Sequence, residues 1–156
     1  QAHMQATKPP NKGENKLPVK KGYKQLMEEA AQRVEVVSVE QAKALLEDPD
    51  VLFVDIRETR ELERDGTIPG AYHAPRGMIE FWVDPESPYF KKTLGNAKKL
   101  VLFCASSWRS TLAAAALVDM GLDNVSHMVG GFSAWKKAEA PIAGWDSRTH
   151  STIRKA

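Results

Sequence analysis

The sequence predicts a single α/β domain built on a parallel sheet with helices on both faces. Three observations lead there. Short β-branched runs alternate with helix-patterned segments from Val34 to Lys137. The runs are continuously apolar, as in strands covered on both sides, where a half-exposed strand would alternate. The chain of 156 residues, 42% apolar and 27% charged, suits one core.

The elements follow in order. Residues 1–21 carry four prolines and glycines among their lysines and very little apolar side chain, which predicts a flexible leader; Gln1 to Met4 read as a cloning remnant. Over 22–33, Tyr23, Leu26, Met27, Ala30 and Ala31 recur at three-and-four spacing, the pattern of a short amphipathic helix. The domain body is expected over 34–142. Val34 to Val37 read as a strand, and Ser38 with Gln41 as a capping box for the helix carrying Ala42, Leu45 and Leu46. A second strand, Val51 to Val54, ends at Asp55. The charged helix after it, Arg57 to Arg64, reads as a solvated face. Gly66 to Gly70 form a turn, Ala71 to Ala74 a weak strand, and Pro75 to Tyr89 a broken stretch whose Met78, Phe81, Trp82, Tyr89 and Phe90 are expected to pack over the sheet. Leu100 to Phe103 form the strongest strand and stop at Cys104. A helix with a glycine terminus runs from Ser110 to Gly121, a last strand over Val125 to Val129, a Gly130-Gly131 turn, and a short helix over Phe132 to Lys137. Residues 143–156 are expected as a tail.

Charge and composition narrow the function. Lysine and arginine number 22 against 20 acidic residues, too near balance for a nucleic-acid-wrapping surface or a polybasic membrane anchor. No apolar run reaches the length of a membrane span and no signal peptide opens the chain, so a cytoplasmic protein is expected. The single cysteine excludes an intramolecular disulfide, a CxxC pair and a multi-cysteine zinc site, and the four histidines have no ligand spacing; neither a metal nor an organic cofactor is expected. Nothing in the sequence bears on oligomeric state.

The chemistry concentrates in Leu100 to Ser110, L-V-L-F-C-A-S-S-W-R-S. A strand delivers Cys104 to its carboxyl end, the edge where parallel sheets place ligands, and a helix follows directly. Small residues at Ala105, Ser106 and Ser107 let the loop curl so that backbone N–H groups line an anion nest, with the helix terminus behind it. Such a nest would favour the thiolate and hold an anionic substrate against it. Arg109 would add a forked positive charge, Trp108 a rim to the pocket, and Ser110 a hydroxyl for the sulfur or a cap for the helix. Asp55 and Arg57, at the same sheet edge, are candidates to support the loop from beneath. A buried cysteine at a strand end is commonly just a small core hydrophobe; the Cys-x4-Arg spacing between strand and helix favours a nucleophile instead.

Four ordered segments carry a family resemblance: V-D-I-R-E-T-R-E-L (Val54 to Leu62), G-T-I-P-G-A-Y-H-A-P-R-G (Gly66 to Gly77), C-A-S-S-W-R-S (Cys104 to Ser110) and G-G-F-S-A-W (Gly130 to Trp135). From Val34 to Ile142 the chain resembles a rhodanese-homology domain, a single-domain sulfurtransferase. The resemblance implies a five-stranded parallel sheet and a cysteine that cycles through a persulfide. A small anionic sulfur donor such as thiosulfate would load Cys104, and cyanide or a thiol would unload it. Two positions depart from the family pattern. Ser107 stands where glycine is usual, which would cost of order 1 kcal/mol if the residue needed positive φ. Thr67 replaces the histidine before Ile-Pro-Gly-Ala and reads as structural. The alternatives are a rhodanese-like binding module without strong activity, and a cysteine phosphatase or arsenate reductase. The latter two resemble this loop but with one more residue between cysteine and arginine, and the reductase also needs a second cysteine.

Overall fold

The computed structural model describes residues 18–153; the expected leader lies outside the described residues except for its last four. The chain forms α1 (Tyr23–Ala31), β1 (Glu35–Val37), α2 (Val39–Leu45), β2 (Val51–Asp55), α3 (Thr59–Asp65), β3 (Tyr72–His73), a 3₁₀ turn (Arg76–Met78), α4 (Ile79–Val83), α5 (Lys92–Gly95), β4 (Lys99–Phe103), α6 (Trp108–Asp119), β5 (Val125–Met128), α7 (Gly131–Lys137), β6 (Gly144–Asp146) and β7 (Ser151–Ile153). Five strands make one parallel sheet in the order β1-β5-β4-β2-β3, so the strand ending at Cys104 is central.

Local chemistry sets the boundaries. Ser38 Oγ accepts from the Gln41 N–H while the Gln41 side chain accepts from the Ser38 N–H, the predicted capping box of α2. Glu58 and Glu61 repeat the device at α3 with a carboxylate in the capping position.

The sheet separates two apolar layers. On one face Val54, Leu100, Leu102 and Cys104 pack with Ile79 and Val83 of α4 and with Ala113, Ala114 and Leu117 of α6. On the other, Phe53, Val101, Phe103 and Met128 pack with Ala42 of α2 and with Phe132 and Trp135 of α7. The continuous apolar runs thus feed alternate side chains to two covered faces.

Three expectations are corrected. Among the aromatic group after Pro75, Phe81 and Tyr89 are exposed; Trp82 alone packs against the core, its ring beneath the Lys91 ammonium at 4.9 Å. Residues 144–153 form an antiparallel β6–β7 ribbon that packs on α3, where a tail was expected. It is pinned by the buried Trp145, whose ring meets His73 edge-on at 5.6 Å, and by a backbone bridge between Thr67 and Ala143. The segment after β2 is no solvated face throughout, because Arg57 is 1% exposed. Among the described residues, no helix is long and apolar enough to cross a membrane.

Candidate active site

Cys104 sits immediately after β4, 1% exposed, at the carboxyl edge of the sheet. The loop behind it is held by its carbonyls. Cys104 C=O accepts from the Phe132 N–H at 2.8 Å and Ala105 C=O from the Ser133 N–H at 3.0 Å, both at the start of α7. Ser107 C=O accepts from the Thr111 N–H at 3.0 Å and the Thr111 hydroxyl at 2.7 Å. Among the described residues, no acceptor takes the backbone N–H of Ala105, Ser106 or Ser107. With the carbonyls of Cys104, Ala105 and Ser107 bonded to α7 and α6, these three loop N–H groups are left without a protein acceptor among the described residues.

The glycine pair makes this approach possible. Gly130 and Gly131 have φ of 85° and 60°, the left-handed region, and a Cβ on Gly131 would run into the carbonyl oxygens of Ser106 and Cys104. The Gly130 N–H donates to Ser107 Oγ at 2.8 Å. The expected strain at Ser107 does not arise: its φ is −138°, ordinary for any residue, and its hydroxyl ties the loop to the glycine turn.

Asp55 and Arg57, the candidates to support the loop, form a buried pair at the end of β2. The register sets Asp55 beside Phe103, one residue before the cysteine. Arg57 Nε and Nη2 donate to the Asp55 carboxylate at 3.0 and 2.7 Å, Nη2 also to the Gly66 carbonyl, and Thr67 Oγ1 donates to the same carboxylate at 2.7 Å. Thr67 is therefore structural, as its distance from the cysteine loop in the sequence suggests. The Arg57 guanidinium lies 4.3 Å from the centre of the Phe132 ring, and Phe132 is the residue whose N–H holds Cys104 C=O.

Arg109 departs from expectation. Its guanidinium is bound by both Glu61 oxygens, at 2.8 and 3.1 Å, so two of its donors are already spent on a carboxylate. The pairing to Arg109 lowers the Glu61 carboxyl to about 2, and Glu61 in turn raises Arg109 above its ordinary value. A cleft of about 330 Å³ opens beside Arg109, between Thr59 and Arg60 on one side and Pro75, Arg76 and Gly77 on the other. Trp108 is not part of this rim. It is exposed and its ring meets that of Tyr23 of α1 at a tilt of 36°, with ring centres 5.0 Å apart.

Ser110 is buried with its Oγ 3.6 Å from Cys104 Sγ. It is joined by His127, one of four histidines without ligand spacing in the sequence: His127 Nδ1 lies 2.9 Å from Ser110 Oγ, and its Nε2 3.3 Å from Thr111 Oγ1. Glu61 likewise belongs to the stretch Arg57 to Arg64 whose composition predicts a solvated face. The sequence signal for His127 is an imidazole inside the short strand expected over Val125 to Val129; that this strand is wholly buried, so that a polar ring in it needs partners, only the fold shows.

A lone cysteine on an N–H-lined loop, at the carboxyl edge of a parallel sheet and directly before a helix, defines a class of α/β proteins built around a cysteine loop. The family model for the rhodanese-like domain matches residues 38–138, and the chain belongs to that family. A sulfurtransferase of Allochromatium vinosum is 32% identical over 108 residues, 69% of this chain and 92% of its own. A mouse thiosulfate sulfurtransferase/rhodanese-like domain-containing protein 3 is 27% identical over 104 residues, 64% of this chain; the match spans 66% of that relative's length, just under two thirds. A solved Rhodopseudomonas palustris structure, of a protein of unknown function described as a possible tyrosine phosphatase, superimposes with a TM-score of 0.79 at 45% identity, covering 83% of this chain and 99% of its own.

Proposed function

We propose that this protein transfers sulfane sulfur through a persulfide on Cys104. The thiolate attacks the outer sulfur of an anionic donor of the thiosulfate type. A Cys104 S–S bond forms, the donor S–S bond breaks, and sulfite leaves with the bonding electron pair. A thiophile such as cyanide or a thiolate then attacks the terminal sulfur and Cys104 leaves as thiolate, so no external oxidant or reductant is needed. The observation that supports this reading is the loop itself, with the carbonyls of Cys104, Ala105 and Ser107 held by α7 and α6 and the N–H groups of Ala105 to Ser107 without an acceptor among the described residues. Arg109 contributes the donors that Glu61 leaves free.

The test is the intact mass after thiosulfate treatment and desalting without reductant. A gain of one sulfur atom that cyanide removes, absent from Cys104→Ser, is the expected result. No gain with thiosulfate or with any other sulfane donor would overturn it and favour a binding module.

A phosphatase is the second reading, prompted by the description of the Rhodopseudomonas palustris relative. Four residues separate Cys104 from Arg109, one fewer than in the resembling phosphatase loops, and Glu61 already occupies the guanidinium that would clamp a phosphate. Turnover of an aryl phosphate lost in Cys104→Ser would establish this reading instead.

A further inference from the structure

The hydrogens around His127 can be assigned one by one. Thr111 has a single hydroxyl hydrogen and two neighbours, Ser107 C=O at 2.7 Å and His127 Nε2 at 3.3 Å. The shorter contact to the carbonyl takes it, so Nε2 must carry its own hydrogen and donate to Thr111 Oγ1. That leaves Nδ1 bare. Ser110 Oγ lies 2.9 Å from Nδ1 and 3.3 Å from Ser107 C=O, so its hydrogen goes to the imidazole. The lone pairs of Ser110 then face Cys104, whose S–H donates to them at 3.6 Å. A directed chain results: Cys104 S–H to Ser110 O–H to His127 Nδ1, with the far side of the ring anchored on Thr111.

We infer that His127, acting through the Ser110 hydroxyl, is the positioning residue that receives the Cys104 proton and turns the buried sulfur into a nucleophile. This rests on the sulfur-transfer reading for its purpose. The step balances without moving a heavy atom: the thiol proton passes to Ser110 Oγ, the hydroxyl proton passes to Nδ1, and the products are a thiolate, a neutral serine and an imidazolium. Ser110 then donates to the sulfur and Nδ1 to Ser110. Register supports the placement, since His127 on β5 pairs with Leu102 on β4, on the face that Cys104 shares and α6 covers. Burial lowers the His127 proton affinity, which keeps the resting ring neutral and able to accept. The thiolate formed in the same step offsets that burial cost.

The other charged groups near the relay do not supply a base. From α3 and α6, Glu61 and Arg109 hold each other, with Glu61 lowered to about 2. At the end of β2, Asp55 and Arg57 are mutually paired. His73 on β3 bonds to the Arg57 carbonyl, away from the sulfur.

The experiment is the rate of Cys104 alkylation by iodoacetamide as a function of pH, read by intact mass, on wild type, His127→Phe, His127→Gln and Ser110→Ala, with thermal melts for each. All three variants should alkylate about tenfold more slowly at pH 7, with the profile displaced to higher pH and the alkaline plateau retained. His127→Gln is decisive if His127→Phe fails to fold, because glutamine keeps hydrogen-bonding capacity but takes up no proton. Ser110→Ala combined with His127→Gln should displace the profile no further than either alone. A wild-type profile in His127→Gln overturns the inference, as does an additive displacement in the double variant. Alkylation needs no sulfur donor, so a persulfide mass without a displaced profile refutes the relay alone, and a displaced profile without a persulfide refutes the transfer reading alone.

Discussion

Replacing Arg57 by methionine removes the buried guanidinium that pairs with Asp55 and lies over the Phe132 ring, while keeping an unbranched side chain of similar reach. The guanidinium is 1% exposed and its partner Asp55 fully buried. The substitution takes two charge-assisted bonds from the Asp55 carboxylate, at 3.0 and 2.7 Å, one from the Gly66 carbonyl at 2.7 Å, and the cation over the Phe132 ring at 4.3 Å. What remains is a buried carboxylate with Thr67 Oγ1 and the Arg57 position's own N–H as donors. Breaking a buried pair in this way costs about 3–5 kcal/mol, chiefly through the charge left behind. For a chain of this size that is a fall in Tm of about 6–20 °C.

Urea denaturation of Arg57→Met against wild type measures the loss directly. Asp55→Asn in the same background should recover part of it, because the stranded charge is then removed. Phe132 also loses the group over its ring, so thiosulfate loading of Cys104 should slow in the folded variant. A stability loss below about 1 kcal/mol would refute the argument, since surface pairs already reach that size. So would a double variant less stable than Arg57→Met.

Three further outcomes follow from the same geometry. Ser107→Gly should lower stability by about 1 kcal/mol and leave persulfide formation no faster, because the serine is unstrained and holds the Gly130 N–H; chemical denaturation and mass-detected loading test both. For Glu61→Gln, the folded-state carboxyl is depressed to about 2, so the pair's contribution is present above the ordinary carboxyl value near 4.5 and is lost as pH falls toward 2. Wild type should therefore be more stable than Glu61→Gln at pH 6 and converge with it in acid, as followed by melts across that range. Trp145→Ala should cost about 3–5 kcal/mol, where a solvated tail would cost nothing measurable by denaturation.

The sheet, its helices and the cysteine loop were legible because each rests on local pattern. Continuous apolar runs announce doubly covered strands, and Ser38 with Gln41 announces a cap. What escaped was set by partners distant in sequence. Glu61 has the composition of a solvated helix, and only the approach of Arg109, 48 residues away, makes it part of the site. Trp145 looked like a tail residue because its ribbon has two three-residue strands, too short to show a period. Ser107 was judged by residue type at a position whose backbone angle only the fold decides.

The motifs that carried the resemblance meet in one place, which explains why they are read together. Asp55 and Arg57 come from the first, Thr67 and Gly66 from the second, and Phe132 with its glycine pair from the fourth; hydrogen bonds and the Arg57–Phe132 contact join them, and Phe132 links them to the Cys104 carbonyl in the third, the cysteine loop. A substitution at Phe132 bears on Cys104 through its backbone bond, one at Arg57 acts through Phe132, and one at Thr67 acts only through Asp55 and Arg57. His127 lies outside all four segments, on the strand beside the loop, and reaches the sulfur through Ser110 alone. The four motifs thus account for how the loop is shaped, while His127 bears on where the thiol proton goes. The first role should appear in variants as lost stability and slower loading, and the second as a displaced pH profile in a protein that still folds.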